Sequence, residues 1–553
     1  MSDSTLTPQS SNSAKPMTEC APAKSGKGAA FWLAFGAMLV ALFLHALDMC
    51  AISTALPTII HDLHGGDKFI WVGSAYALAS TAVLFPCSRF ADVFGRKVVL
   101  LTSITSFAVG SALAGASQNM NMLIAARALQ GAGGGAIFFM SNIITSDLVS
   151  LAERGTYQGY LVLTYCLASG VGPAVGGGLS ASASWRWIFY MNLPVTGLAV
   201  FLVSVFLRVR APEGSTREKL ARMDWLGNAL MVAGSTLTLV GLTWGGIHYP
   251  WSSAHVLVPL VLGIVLMAIF VVYECLIVAE PTMPLDILSN RTTLSANFAT
   301  FVHGIASMAA IYYMPVFFQA CKGALPVRSS IDTFPIAFVL SPFALISGIL
   351  VKVVQKYRLV NLAGWVISVV GFGVLSLLRP DSGLGEQVGF QFLMAAGVGI
   401  VWTATVYPVL APLPVSRNSA ALGFFAFCRA FAQTWGITIA GVILQNQLKS
   451  KMPEAFFAQF PEGVQLDTLY AAIPTIASLP EPLRTEIQDA FADSFSVIWK
   501  VMVGFCGAGL LSVFLLKEIP MLQHTDETYG LKSKERPHST VTDLEKGKDS
   551  HGA

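Results

Sequence analysis

An aspartate stands where the chain otherwise avoids charge. The stretch "LHALDMCAISTALP", Leu44 to Pro57, closes an apolar run that starts near Ala29, and it holds Asp48. His45 lies three residues earlier, on the same face of a helix. Further polar residues are set into apolar runs downstream: Arg127 and Gln130, then His303 and Arg429. An arginine inside a membrane span costs about 3 kcal/mol on insertion scales, so it needs a partner, carbonyls or water. A buried carboxylate beside a guanidinium has a particular use. Burial favours the neutral acid and the cation favours the anion, so a change of surroundings can load or release a proton. The other reading of such a pair is a static ion pair that fixes helix packing. His45, Gln130, His303 and Arg429 are candidates to line a cavity; for a lone membrane histidine such as His303 a packing or hydrogen-bonding role is slightly the more frequent one.

The elements that position these residues are membrane helices. The chain has 553 residues, 54% hydrophobic and only 12% charged, with mean hydropathy +0.64. Soluble domains carry about 25% charged residues. A hydrocarbon core needs about 20 apolar residues per helix, and fourteen such runs are present. They lie near 31–55, 69–87, 98–117, 122–148, 156–180 and 187–207; then a pair near 225–246 and 254–278; then 292–318, 331–351, 359–378, 387–411, 418–443 and 495–517. Only helices form so many non-alternating runs in lipid. The predicted fold class is an all-α polytopic membrane protein. Residues 1–30 and 518–553 read as disordered tails and 210–224 as a cytoplasmic loop. Residues 1–28 have no apolar region, so no signal peptide is expected there.

Lysine and arginine set the orientation. With both termini cytoplasmic, the short inner loops gather Arg89, Arg96, Lys97, Arg154, Arg208 and Arg417 among others, while the short outer loops hold only Lys68, Arg186, Lys322, Arg328 and Arg379. The one Asn-x-Ser/Thr site, at Asn290, then faces inward. It should carry no N-glycan; a mass shift on deglycosylation that maps to Asn290 would break this topology. In the same frame Asp48 and Arg127 sit at matched depth, roughly 7–11 Å below the outer boundary. Asp147 and Glu274 lie near inner span ends, where carboxylates are expected to snorkel. Residues 445–494 form a long outer loop, and "PLRTEIQDAFADSF" within it reads as a surface helix or part of a cap.

Several motifs resemble one family. "SRFADVFGRKVVLL", Ser88 to Leu101, resembles the signature loop of the major facilitator superfamily, with Asp92, Gly95, Arg96 and Lys97 in place and Ser88 where glycine is usual. Gly95 permits a tight turn between spans, and the charges can latch two helices. "MLIAARALQGAGGGAIFF" resembles the family's fourth-span element, with Arg127, Gln130, Gly131 and Gly134. "YCLASGVGPAVGGGLSA" resembles its antiporter signature, with Gly172, Pro173, Gly176 and Gly177. "LDMCAISTALP" and "WRWIFYMNLPVTG" resemble the first and sixth spans of the fourteen-span drug:proton antiporters. "SGILVKVVQKYRLV", Ser347 to Val360, is a weak internal echo of the first loop, with Lys352 where Asp92 stood.

The resemblance implies two six-helix bundles, 31–209 and 279–517, with 225–278 as an inserted helix pair at the periphery. It also implies proton-coupled efflux of a small amphipathic organic molecule by alternating access, with Asp48 and Arg127 in proton coupling. The partners expected are that substrate, protons and the lipid bilayer of the plasma membrane, or less readily the vacuolar membrane, with the chain acting as a monomer. An importer of the same fold, for a siderophore or amino acid, is the rival; a receptor that binds without transport is a second. Net charge of +3 and the lack of a basic aromatic patch give no case for nucleic acid. No cofactor and no enzyme activity are expected: there is no Walker A sequence, nucleophile–base pair or metal cluster. "HDLHGGD", with His61, Asp62, His64 and Asp67, reads as a solvated loop rather than a metal site. The eight scattered cysteines form no CxxC and read as small hydrophobes.

Overall fold

A computed structural model describes residues 28–63, 70–209, 215–221, 223–245, 249–278, 286–414, 417–453, 456, 473–476 and 479–520. The tails and much of the 445–494 loop lie outside these residues, as do His64, Asp67 and the side chains of His61 and Pro173.

Among the described residues, fourteen helices are long and apolar enough to cross a membrane. The first six are α1 (Ala29–Leu63), α2 (Ile70–Phe94), α3 (Arg96–Gly115), α4 (Met120–Leu148), α5 (Leu151–Ser182) and α6 (Asn192–Phe206), the last preceded by a turn at Trp187–Tyr190. A pair follows, α7 (Trp225–Trp244) and α8 (Ala254–Leu276). The last six are α9 (Arg291–Lys322), α10 (Phe334–Val354), α11 (Tyr357–Leu375), α12 (Leu384–Ala404), α13 (Asn418–Lys451) and α14 (Leu483–Val513). Their ends follow local chemistry. Asn119, Asp224 and Asn290 accept backbone N–H groups at the starts of α4, α7 and α9. Gly95 joins α2 to α3 in one residue at φ 93°, a conformation that favours glycine.

The packing repeats at an interval of eight helices. In the first half α1 packs on α5 and α6, α4 on α2 and α3, and α3 on α6. In the second half α9 packs on α13 and α14, α12 on α10 and α11, and α11 on α14. The halves meet where α5 crosses α10 and α2 crosses α13, again related by the same interval. That is the pattern of an internal twofold repeat. The α7–α8 pair packs mainly on itself, with α7 also against α2 and α13.

Two expectations need correction. "PLRTEIQDAFADSF" is not a surface helix: its residues form the first turns of α14, with Ile487, Ala490, Phe491 and Ala492 buried. The 31 residues of α14 span about 46 Å, well beyond a ~30 Å hydrocarbon core. Its leading turns, longer than such a core requires, pack on protein. Likewise α13 continues to Lys451, which shortens the expected loop from both ends. Glu274 does not snorkel. It shares the single buried stripe of α8 with Val256, Gly263 and Phe270, at helical spacing, and is 4% exposed.

Candidate functional site: a buried carboxylate cluster

Asp48 and Arg127 are in contact. Arg127 Nη1 donates to Asp48 Oδ2 at 2.5 Å, and neither side chain is more than 1% exposed. The other carboxylate oxygen, Oδ1, accepts from Gln130 Nε2 at 2.8 Å and from Asn192 Nδ2 at 2.9 Å. Ser111 Oγ accepts from Gln130 Nε2 at 2.8 Å. The guanidinium is held further by Gln130 Oε1 at 2.7 Å and Val72 O at 3.2 Å, and it lies over the Tyr76 ring, 4.2 Å from its centroid. Groups from α1, α2, α3, α4 and α6 thus converge around one carboxylate. His45, one turn before Asp48, bonds the Tyr76 hydroxyl through Nδ1 at 2.5 Å. Gly134 makes the room: a Cβ there would sit 2.3 Å from Tyr76 Oη and 2.5 Å from His45 Nδ1.

A carboxylate at this burial would be prohibitive without partners. Here each oxygen is paired, Oδ2 with Arg127 and Oδ1 with Gln130 and Asn192. Gln130 and His45 are expected from the sequence to line a cavity. In this conformation both are buried, Gln130 inside the cluster and His45 beside it. Sequence reasoning does not single out Tyr76, Ser111 or Asn192. Asn192 lies within the quoted sixth-span stretch and is open to notice as an amide at a span start. Tyr76 and Ser111 are ordinary residue types for a membrane helix, and only packing gives them a role.

The antiporter motif adjoins this cluster. A Cβ on Gly172 would lie 2.8 Å from Cys50 Cβ and 3.1 Å from both Ala51 N and Leu47 O. Gly172 therefore seats α5 directly on the turn of α1 that carries Asp48. Gly176 and Gly177 lie one turn further along α5, which also contains Pro173.

The first loop forms a second ionic group. Arg96, 2% exposed, donates through Nη1 to Asp92 Oδ1 at 2.7 Å and through Nε to Asp147 Oδ2 at 2.8 Å. Lys97 Nζ reaches Ser204 O at the end of α6, at 2.6 Å. Asp147 does not snorkel as expected; it is 1% exposed, because Arg96 turns inward and neutralises it there. Asp147 is thus the more buried of the two acids, Asp92 being 24% exposed. Asp147→Asn should therefore lower the thermal unfolding midpoint more than Asp92→Asn, by about 1–3 kcal/mol of stability, and should slow transport with substrate binding retained. Equal effects in a melting assay would remove the distinction.

On the face that carries this loop the two halves are in contact. Ser88 O accepts from Ser419 Oγ at 3.3 Å, and Gly423 lies against the Ser88 side chain. Serine in place of glycine at position 88 is accommodated because glycine stands opposite. At the other crossing Gly155 meets Gly348, and Tyr407 Oη accepts from Gly155 N at 2.9 Å. Lys352 pairs with Glu153 across the same crossing at 3.1 Å. The echo loop has lost its acid but gained a partner in the opposite half. Phe85 and Phe427 touch about 14 Å in from the loop face, extending the α2–α13 contact.

His303 and Arg429 stand apart from the Asp48 cluster, in the second half. His303 Nε2 lies 3.0 Å from Val398 O, and Arg429 bonds Trp402 O and Thr405.

Residues 38–437 match the family model described as Major Facilitator Superfamily. This chain belongs to the major facilitator superfamily. As a facilitator it is a multi-pass membrane transporter rather than an enzyme, and the repeat of six helices about a twofold is the architecture of that family. It is 36% identical to "Efflux pump FUS6" of Gibberella fujikuroi over 552 residues, covering 99% of this chain and 98% of that protein. It is 37% identical to "MFS-type efflux pump LUC4" of a Fusarium species, over 95% of this chain and 94% of the other. Among solved structures, the proton:xylose symporter XylE shares the fold at 11% identity, with a TM-score of 0.54 over 87% of this chain and 94% of that one.

Proposed function

We propose that this facilitator exports a small amphipathic organic molecule, such as a secondary metabolite or toxin, across the plasma membrane, driven by protons. The names of the full-length relatives support export. The observation that carries proton coupling is the Asp48 cluster: a fully buried carboxylate whose two oxygens tie α1 to α4 and α6 through Arg127, Gln130 and Asn192.

When Asp48 is ionised, these bonds clamp the three helices together. A proton on the carboxyl group weakens the hold on Arg127 and creates a donor that needs an acceptor. Asn192 Oδ1, buried without a partner, supplies one if the amide rotates. Released, α1 can shift, and α5 moves with it through the Gly172 contact. The same α5 carries Gly155 and Glu153 to the contact between the halves. Protonation at Asp48 and opening of the loop face are in this way mechanically joined. In the orientation set by the basic loops, that face is cytoplasmic and is closed in this conformation.

A comparison of metabolites tests the export reading. Cells lacking the protein should retain an organic compound that cells expressing it release to the medium. Greater intracellular accumulation in the expressing cells would favour import and sink the proposal.

A further inference from the structure

The second half buries an arginine under conditions opposite to those of Arg127. Arg429 lies on α13 about 16 Å from the loop-face end of that helix. It is 9% exposed. Its Nη2 donates to Trp402 O at 2.8 Å and to Thr405 Oγ1 at 3.2 Å. The guanidinium lies 4.6 Å from the Trp402 ring centroid and 4.5 Å from that of Phe425. Among the described residues no carboxylate pairs with it, and Nε has no hydrogen-bond partner.

The decisive difference between these two arginines is the counter-ion. Arg127 has its counter-ion built in, and Arg429 does not. Removing an ion from water costs several kcal/mol, which carbonyls and aromatic faces offset only in part. The local structural role for Arg429 is to bond the Trp402 carbonyl beside the break at Thr405, between α12 and the Val406–Leu410 turn. A neutral donor would serve there. One nitrogen does that work, Nε is unpartnered, and the charge is met only by ring faces among the described residues. His303 supplies no compensation. Its Nε2 lies against the Val398 carbonyl and so carries the proton, and its ring stands edge-on to Trp402 at 5.6 Å with Nδ1 unpartnered.

Thr405, which binds Arg429, is two residues from Tyr407, and Tyr407 makes the contact with Gly155 in the opposite half. Arg429 is therefore linked through Thr405 to the segment that closes against the opposite half. We infer that Arg429 is the residue that recognises the cargo, and that the cargo carries a carboxylate or comparable singly charged oxyanion on an apolar frame that rests on Trp402 and Phe425. This rests on the export reading above and narrows it to organic acids.

The test uses purified full-length protein and three pairs of probes: benzoate, decanoate and pyrenebutyrate, each against its methyl ester. In equilibrium binding, the acid should be preferred at least about tenfold in at least one pair. Arg429→Gln should abolish that preference, and Arg429→Lys should keep part of it, since it retains the charge without the planar fork. Equal binding of acid and ester in all pairs overturns the inference, as does no binding of either. An acid preference unchanged in Arg429→Lys and Arg429→Gln overturns it too. If Arg429→Gln does not fold, the lysine variant decides: a weakened preference supports the inference and an unaltered one refutes it. Acid binding without gradient-driven transport in the unaltered protein would defeat the export reading and leave the anion site standing.

Discussion

Asp48→Asn reduces export driven by a pH gradient to the passive level, while exchange of substrate for substrate continues. Asparagine matches the shape of aspartate but cannot take up and release the driving proton. It also leaves Arg127 with a carbonyl, a glutamine oxygen and the Tyr76 ring in place of a carboxylate. Breaking a buried pair from one side costs about 3–5 kcal/mol, so a drop in melting temperature is expected as well. The measurement that separates coupling from scaffolding is the comparison of the two transport modes in reconstituted vesicles. A static ion pair predicts that driven export and exchange fall together with the amount of folded protein. Undiminished driven export in the variant would end the coupling role of Asp48.

Gly348→Val should abolish net transport in protein that still reaches the membrane. A Cβ at residue 348 would lie 2.2 Å from the Gly155 carbonyl carbon and 2.6 Å from Thr156 N. These are backbone atoms and cannot rotate aside, so the α5–α10 crossing cannot close. Overpacking a tight contact costs about 1–3 kcal/mol or more, and here that cost falls only on the state in which the halves meet. A cysteine introduced at Glu153 would report the change. With Gly348→Val it should react with a membrane-impermeant thiol reagent added from the loop face much faster than in the parent. Unchanged labelling and unchanged transport would mean that this crossing does not gate the pathway.

Both predictions use residues visible in the sequence, but to different degrees. Asp48 and Arg127 can be paired from the sequence because helical rise converts residue number into depth. Depth does not specify azimuth, so the remaining contacts of the cluster are hidden at that level. Ser111 and Asn192 come from helices α3 and α6, and only the rotation of those helices turns them toward Asp48. The latch shows the same division. Asp92, Gly95, Arg96 and Lys97 are legible as a motif because they are close in sequence. Asp147, 51 residues from Arg96, resembles any snorkelling acid at a span end, and only packing places it against the guanidinium.

The class of protein follows from composition and spacing alone. Lipid permits only helices for runs of this composition, so fourteen spans, their order and their polar intruders follow from hydropathy and spacing. Motifs of local residues, which need only a few neighbours to define them, pointed to the family. Which polar groups are neutralised and which are not is set by packing. Arg127 and Arg429 look alike in the sequence, each a lone arginine in an apolar run. One meets a carboxylate contributed by a helix 79 residues away; the other meets a carbonyl, a hydroxyl and two aromatic rings. That difference depends on how helices are turned against one another, which is settled by the fit of side chains across many contacts and not by any local stretch of chain.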